Sequence, residues 1–143
     1  MKITKALKKD IPEMLEIIKI NSPEYSKNLA LKELNEMFSK SLYKPTYITI
    51  KEKNKILAFG GMINSWADNL MFNIFWVNTH PKYQKKGIGT KLIKALIREI
   101  KKRKPTPKLI TLATDNYPFY QKFGFKKSII DYHKKYFLMS LKI

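Results

Sequence analysis

The chain contains no cysteine, and only two of its 143 residues are histidines. The absence of cysteine excludes disulfide bonds, thiol nucleophiles and thiolate metal sites. His80 and His133 cannot by themselves form a zinc site of the usual kind. The G-x-S-x-G turn that presents the serine of many hydrolases is also missing. We therefore expect a protein that works without a metal and without a thiol.

Long apolar runs are missing as well. No stretch reaches the roughly eighteen apolar residues that a membrane-spanning helix needs. The first sixteen residues carry charges throughout and lack the apolar core of a secretory signal. We therefore expect no membrane association and a cytoplasmic location. Apolar residues make up 44% of the chain, which is enough for a core, and the length suits one domain over residues 1–143.

Acidic residues are scarce: 11 stand against 29 lysines and arginines, for a net charge of +18. This excess favours anionic partners through long-range attraction. Nucleic acid, an acidic protein or an acidic small molecule would satisfy it, and a lysine-rich proteome would produce the same count without any partner. The basic run Lys101–Lys104 closes a predicted helix, where cations oppose the negative end of the dipole. It supports nucleic-acid binding only if neighbouring elements extend it into one basic face.

Glycine occurs five times, yet two glycines, Gly87 and Gly89, lie two positions apart. The apolar run Met71–Val77 before them predicts a strand, and the amphipathic run Ile88–Ile100 predicts a helix. Backbone N–H groups in such a turn can face an anion, and the helix N-terminus adds partial positive charge. A Cβ would block the close approach of the anion, and the two preceding lysines add charged donors. The pattern predicts a turn that binds pyrophosphate.

The spacing decides between known phosphate-binding motifs. The dinucleotide fingerprint fails because Leu92 occupies its third glycine position, and the P-loop fails because one residue separates the two glycines. The remaining pattern is Q-x-x-G-x-G from Gln84 to Gly89. It resembles the acetyl-CoA-binding motif of the GCN5-related N-acetyltransferase (GNAT) family. A tight turn that binds nothing would show the same pattern, so a second motif is needed.

The segment N-Y-P-F-Y-Q-K-F-G-F, which begins at Asn116, resembles the C-terminal N-x-x-F-Y-x-x-x-G-F signature of the same family. It predicts a short helix with Asn116 as N-cap and Gly124 after its end at positive φ. Phe119 and Phe123 are spaced i, i+4 and would share one buried face. Tyr120 lies one residue off that face, so its hydroxyl can point into a cleft.

The remaining patterns predict the element order β-α-α-β-β-β-α-β-α-β-β. The predicted elements are a strand at Lys2–Ala6, a helix after Asp10 with a capping box to Glu13, a helix at Glu24–Ser41, strands at Thr46–Ile50, Ile56–Ile63 and Met71–Val77, a helix at Ile88–Ile100, a strand at Leu109–Ala113, a short helix after Asn116, and a hairpin of Phe125–Asp131 with Tyr136–Leu141. The resemblance to GNAT proteins implies an α/β (α+β) fold. It implies a mixed, mostly antiparallel sheet flanked by helices and splayed between its fourth and fifth strands, where the cofactor enters.

The resemblance also implies a reaction: direct transfer of an acetyl group from acetyl-CoA to a primary amine, without a metal. It implies that a strand bulge near Val77 turns an N–H toward the thioester oxygen, and that Tyr120 donates its proton to the departing sulfur. The residues implied to contact acetyl-CoA are Val77, Asn78, Thr79, Gln84, Lys85, Lys86, Gly87, Ile88, Gly89, Thr90, Asn116 and Phe119.

The general base and the acceptor stay open. Many family members carry a glutamate where this chain has Asn73, which cannot act as a base, so Asp68 or a chain of water molecules remains. The acceptor amine is a small molecule, a peptide N-terminus or a lysine. Trp66, Phe72 and Trp76 are candidates for its pocket, with core packing as the alternative.

A second functional hypothesis is a basic GNAT-fold module that associates with nucleic acid or the ribosome. It would act as a binding protein or as a sensor of acyl-CoA, with little or no catalytic activity. Either function is compatible with a monomer or a homodimer.

Overall fold

The computed structural model describes residues 1–143. Seven strands form one sheet in the order β1-β2-β3-β4-β5-β7-β6. All neighbouring pairs are antiparallel except β4 and β5, which are parallel. The strands are β1 Lys2–Lys5, β2 Thr46–Glu52, β3 Lys55–Asn64, β4 Met71–Thr79, β5 Leu109–Thr114, β6 Lys126–Lys127 and β7 Phe137–Lys142. The α-helices are α1 Ile11–Asn21, α2 Lys27–Asn35, α3 Ile88–Lys101 and α4 Tyr117–Gln121. The mixed sheet flanked by helices confirms the predicted fold.

Two apolar clusters cover the two faces of the sheet. Leu92 and Leu96 of α3 are fully buried in one of them, at the i, i+4 spacing of an amphipathic helix. Met14 and Ile17 of α1 and Leu34 of α2 are buried in the other. Full burial of each such side chain is worth about 1.5–3 kcal/mol. The sheet is therefore the middle layer, with α3 on one side and α1 and α2 on the other.

The sheet opens between β4 and β5. These strands pair only through three residues each, from Met71 opposite Leu109 to Asn73 opposite Thr111. β4 continues to Thr79 and β5 to Thr114 without further pairing. The predicted splay between the fourth and fifth strands is confirmed.

A β-bulge bends β4 just beyond the opening. Phe59 and Gly61 of β3 pair with Asn78 and Phe75, so Gly60 alone faces the two residues Trp76 and Val77. Trp76 takes a left-handed backbone conformation with φ of 49°, which is rare and strained for a bulky residue. The bulge turns Trp76 toward the α1–α2 cluster and Val77 toward the α3 cluster.

The second helix is shorter than the predicted Glu24–Ser41. The Ser26 side chain accepts the N–H of Leu29 at 3.2 Å and caps α2, which begins at Lys27, three residues after Glu24. After Asn35 the chain tightens into a 3-10 turn at Glu36–Phe38 and then leaves helical geometry at Ser39. The apolar periodicity continues through this turn, so it did not reveal where the α-helix ends.

The predicted capping box of Asp10 and Glu13 is wrong. The Asp10 side chain makes no cap hydrogen bond to α1. Its carboxylate instead accepts the N–H of Leu7 at 2.8 Å and pairs with Lys51 at 2.8 Å. Glu13 accepts the N–H of Ile56 on β3 at 2.7 Å. Both carboxylates thus attach the start of α1 to its surroundings rather than closing its first turn.

The last hairpin is also shorter than predicted. Its first strand is only Lys126–Lys127, where Phe125–Asp131 was expected. Ile129 and Ile130 are exposed, so the apolar pattern there does not report burial. The His133 Nδ1 atom accepts backbone N–H groups two and three residues ahead, which folds the segment into a loop. None of the helices combines the length and apolar character needed to cross a membrane.

Candidate functional site: the cleft between β4 and β5

A cleft of about 1150 Å³ lies where β4 and β5 separate. Its walls come from the end of α1 and the α1–α2 connection, the end of β4, the glycine turn and first turn of α3, the end of β5, α4, and the loop between β6 and β7. The cleft-lining residues that the sequence had implicated are Val77, Asn78, Thr79, Gln84, Lys85, Gly87, Gly89, Thr90, Asn116, Phe119 and Tyr120. Residues from positions 77 to 120 therefore meet in one cavity.

Two residues of the predicted set do not line this cleft. The Lys86 ammonium lies 5.9 Å from the centre of the Tyr83 ring. Ile88 is only 4% exposed and belongs to the core beneath α3. The side chain of Ile88 cannot reach an anion in the cleft, so any contact from it must come from its backbone.

The glycine turn has the geometry of an anion-binding helix start. Gly87 is the N-cap of α3 at φ of 80°, and no side chain caps the first turn. Lys85 is also left-handed, at φ of 61°. The first N–H groups of a helix have no partner inside the helix. Because they carry the positive end of the helix dipole, they form a suitable site for phosphate oxygens.

Amide side chains brace the turn against the end of β4. Gln84 Nε2 donates to the backbone oxygen of Thr79 at 3.1 Å. Asn21 Nδ2 donates to that oxygen and to Asn78 Oδ1, each at 3.0 Å. Asn78 is buried and donates to the backbone oxygen of Trp76 at 3.2 Å, across the bulge. Gln84 and Asn78 therefore hold the end of β4 and the turn in place. Asn21 makes the same kind of contact, but no sequence pattern predicted that it belongs to the site.

Tyr120 presents its hydroxyl to the cleft. Its side chain is 7% exposed, and the hydroxyl has no hydrogen-bond partner within the protein, although it is not sealed from solvent. Burial, and then the nearby negative charge of Asp115, raise the pKa of Tyr120. The phenol is protonated at neutral pH, as tyrosine ordinarily is, and this shift moves its titration further into the alkaline range. Phe119 packs edge-to-face on this ring, with centroids 5.0 Å apart.

The short helix α4 has the predicted ends. Asn116 precedes it as N-cap residue, but its side chain makes no cap bond and lines the cleft. Gly124 follows it at φ of 97°, which confirms the predicted positive φ. Phe119 and Phe123 contact each other with ring centroids 5.4 Å apart. The aromatic pair fixes α4 beside the first turn of α3.

The candidates for the general base do not face the cleft. Asn73 Nδ2 donates to the backbone oxygen of Thr111 at 3.2 Å and to its Oγ1 at 3.1 Å. Asn73 therefore ties β4 to β5 at the last residue pair before the splay. Asp68 accepts the N–H of Leu70 in the turn between β3 and β4. Neither residue is among those that line the cavity.

The aromatic candidates for an acceptor pocket separate in the structure. Trp66 is 75% exposed and packs against Tyr43, away from the cleft. Phe72 is a buried core residue. Trp76 lines the cleft together with Tyr25, a residue of the α1–α2 connection that the sequence did not single out.

The basic run after α3 is partly engaged within the protein. Lys102 pairs with Glu99 at 3.1 Å. Arg103 donates to Thr46 Oγ1 at 3.2 Å and lies 5.7 Å from the centre of the Phe72 ring. Through these contacts, the residues at the end of α3 attach the helix to the sheet.

Comparison with known proteins identifies the family. A family model described as an acetyltransferase (GNAT) domain matches residues 44–127, more than half of the chain. The chain belongs to the GNAT family. It is therefore an N-acetyltransferase by class. No curated protein sequence matches the chain.

Solved GNAT structures have the same fold along almost the whole chain. An aminoglycoside 6'-N-acetyltransferase in complex with coenzyme A is 16% identical, with a TM-score of 0.84 and coverage of 99% of this chain and 97% of the other. The ribosomal-protein-S18-alanine N-acetyltransferase from Escherichia coli is 18% identical, with a TM-score of 0.77 and coverage of 99% and 93%. A PaiA N-acetyltransferase from Thermoplasma acidophilum in complex with coenzyme A is 19% identical, with a TM-score of 0.75 and coverage of 99% and 98%. At these identities the likeness shows a shared fold.

Proposed function

We propose that this protein transfers an acetyl group from acetyl-CoA directly to a primary amine. The observation that carries the proposal is the cleft at the β4–β5 splay. It places an uncapped helix start, a strand bulge and a free tyrosine hydroxyl around one cavity. These groups suit a pyrophosphate, a polarised carbonyl oxygen and a departing sulfur, respectively.

The glycine turn fits the pyrophosphate sterically. A Cβ on Gly87 would have no atom within 4 Å, so this side of the turn is open. A Cβ on Gly89 would lie 3.4 Å from Phe119 and 3.6 Å from Thr79 Oγ1. A longer side chain at position 89 would therefore fill the space between α3, α4 and the end of β4. Lys85 lines the same space and adds a positive charge.

Acetyl-CoA supplies an acetyl group activated as a thioester. On the protein, the bulge at Trp76 and Val77 lies in the part of β4 that has no β5 partner. We assign the polarisation of the carbonyl oxygen to a backbone N–H of this stretch. Tyr120 carries a proton on its Oη atom at neutral pH, as tyrosine ordinarily does, and burial raises its pKa further. We assign to it the transfer of that proton to the sulfur as the thiolate leaves.

The acceptor amine must lose a proton before it can attack the thioester. Asn73 is held by Thr111 and supplies no carboxylate for this purpose. We therefore propose that deprotonation depends on the acceptor's own pKa and on water in the open cleft. The rate should accordingly rise with pH toward the pKa of the acceptor amine.

Acetyl-CoA binding and turnover test the proposal separately. Binding is measured by calorimetry and thermal shift, and turnover by release of free thiol with a panel of amines. We expect binding at micromolar concentrations and thiol release with at least one amine. The absence of any thermal shift with millimolar acetyl-CoA, free CoA or longer acyl-CoAs would overturn it. Nucleic-acid binding that falls steeply with salt, with no thiol release, would favour the alternative of a binding module.

A further inference from the structure

The cleft has two chemically different ends, on opposite faces of the sheet. The glycine turn and α3 form the end that suits phosphate. The other end lies toward α1 and α2, because Trp76 leaves β4 on that side. There the rings of Tyr25 and Trp76 line the cavity and pack edge-to-face, with centroids 4.7 Å apart.

Glu33 of α2 lies directly behind these two rings. Its carboxylate accepts a hydrogen bond from Trp76 Nε1 at 2.6 Å and another from the Tyr25 hydroxyl. Glu33 is half-buried, and none of the three ion pairs of the protein includes it. In a chain with 29 basic residues and only 11 acidic ones, a partly buried carboxylate without a basic partner is conspicuous.

These hydrogen bonds change what the aromatic rings can bind. The face of an aromatic ring carries partial negative charge and attracts cations. When a phenol or indole donates to a carboxylate, the neighbouring charge polarises the ring further and strengthens this attraction. Glu24, the residue before Tyr25, also lines the cleft. The lysines that line the cleft are Lys85 in the glycine turn, Lys122 just after α4 and Lys135 in the β6–β7 loop, and none belongs to α1 or α2.

We propose that Tyr25, Trp76 and Glu33 form a binding site for an organic cation at the acceptor end of the cleft. The reacting amine must be neutral to attack the thioester. The cation held by these rings is therefore a second charged group on the acceptor. The substrate class is a small amine that also carries an ammonium group a few carbon atoms from the reacting nitrogen. This inference rests on the proposed function for the reaction, but the cation site can be tested without it.

The binding test uses a cation that cannot be acetylated. In a Trp66→Phe background, Trp76 is the only tryptophan and its fluorescence reports on the site. Trp66 is exposed and outside the cleft, so its replacement leaves the site intact. Tetramethylammonium should change the fluorescence saturably, whereas tert-butanol and sodium chloride at matched concentrations should not. Glu33→Gln keeps a hydrogen-bond acceptor without the charge and should weaken the binding about tenfold.

The turnover test compares acceptors of equal length: 1,4-diaminobutane, 4-amino-1-butanol and 1-aminobutane. We expect kcat/KM for the diamine to be at least tenfold higher than kcat/KM for either of the other two amines. Glu33→Gln should remove most of this preference and leave the thermal shift with acetyl-CoA unchanged. Saturable tetramethylammonium binding without acetylation of any amine would support the cation site and refute the proposed reaction. Equal turnover of the three amines without tetramethylammonium binding would refute the cation site and leave the reaction standing.

Discussion

The substitution Gly89→Glu tests the anion-binding turn directly. Gly89 is the second residue of α3, and its backbone is helical, so a side chain is compatible with the fold. The nearest atoms to an added Cβ, on Phe119 and Thr79, lie at 3.4 and 3.6 Å, which are ordinary contacts. A negative charge near a helix N-terminus stabilises the helix by about 0.3–1 kcal/mol. We therefore expect the variant without ligand to be at least as stable as the parent protein.

The effect on acetyl-CoA binding should be large. A glutamate carboxylate about 4 Å from one phosphate charge costs about 4 kcal/mol at the effective dielectric constant near a protein surface. That is a loss of about three orders of magnitude in affinity. For the parent protein, acetyl-CoA at about a hundred times its Kd adds about 2.7 kcal/mol, or roughly 5–10 °C in Tm for a chain of this size. The variant should show no shift at the same concentration.

Calorimetry and thermal denaturation measure both quantities, and Gly89→Ala is the matched control for added volume. The alanine variant should retain binding within about tenfold, because its methyl group meets no atom closer than 3.4 Å. If Gly89→Glu binds acetyl-CoA as tightly as the parent does, the pyrophosphate lies elsewhere. If alanine and glutamate reduce binding equally, crowding rather than charge controls the turn.

Three further predictions follow from the geometry. Tyr120→Phe should lower kcat by about 10²–10⁴-fold and leave the Kd of acetyl-CoA nearly unchanged, and unaltered turnover would remove the proposed acid. Asn73→Glu should lower the free energy of unfolding, measured in urea, by about 1–3 kcal/mol, because the donors to Thr111 are lost. The same variant should leave the pH–rate profile unchanged, and a flatter profile would show that position 73 reaches the amine. Burial raises the pKa of Tyr47 and of Tyr120, so folding favours their neutral forms. Their stabilising contribution is complete below about pH 10 and declines above it, by about 1.4 kcal/mol per pH unit for each tyrosine. Tyr47→Phe should make the alkaline decline in the free energy of unfolding, measured in urea, shallower. An unchanged slope would show that the ionisation of Tyr47 does not contribute to the decline.

The parts of the fold that were predicted correctly are those in which a local pattern decides the structure. The apolar run at Met71–Val77 predicted the central strand β4, which extends two residues further to Thr79. The amphipathic run at Ile88–Ile100 predicted α3 to within one residue. The capping box failed because groups distant in sequence compete for the same carboxylates. Lys51 pairs with Asp10, and the Ile56 N–H bonds to Glu13, over separations of 41 and 43 residues.

The same distinction divides the site. The residues of its phosphate end lie close together in the sequence, so Gln84, Gly87 and Gly89 form a motif that the sequence alone reveals. Its proposed acceptor end depends on Glu33 meeting Trp76 across 43 residues of sequence. The indole that reaches Glu33 belongs to Trp76, the bulge residue with a left-handed backbone. This conformation is rare for a bulky residue, so the sequence does not predict it. Residues that recognise a shared cosubstrate can therefore form a short motif, whereas those that select the acceptor are assembled only by tertiary packing. The proposed cation site is for this reason one that a family motif alone would not reveal.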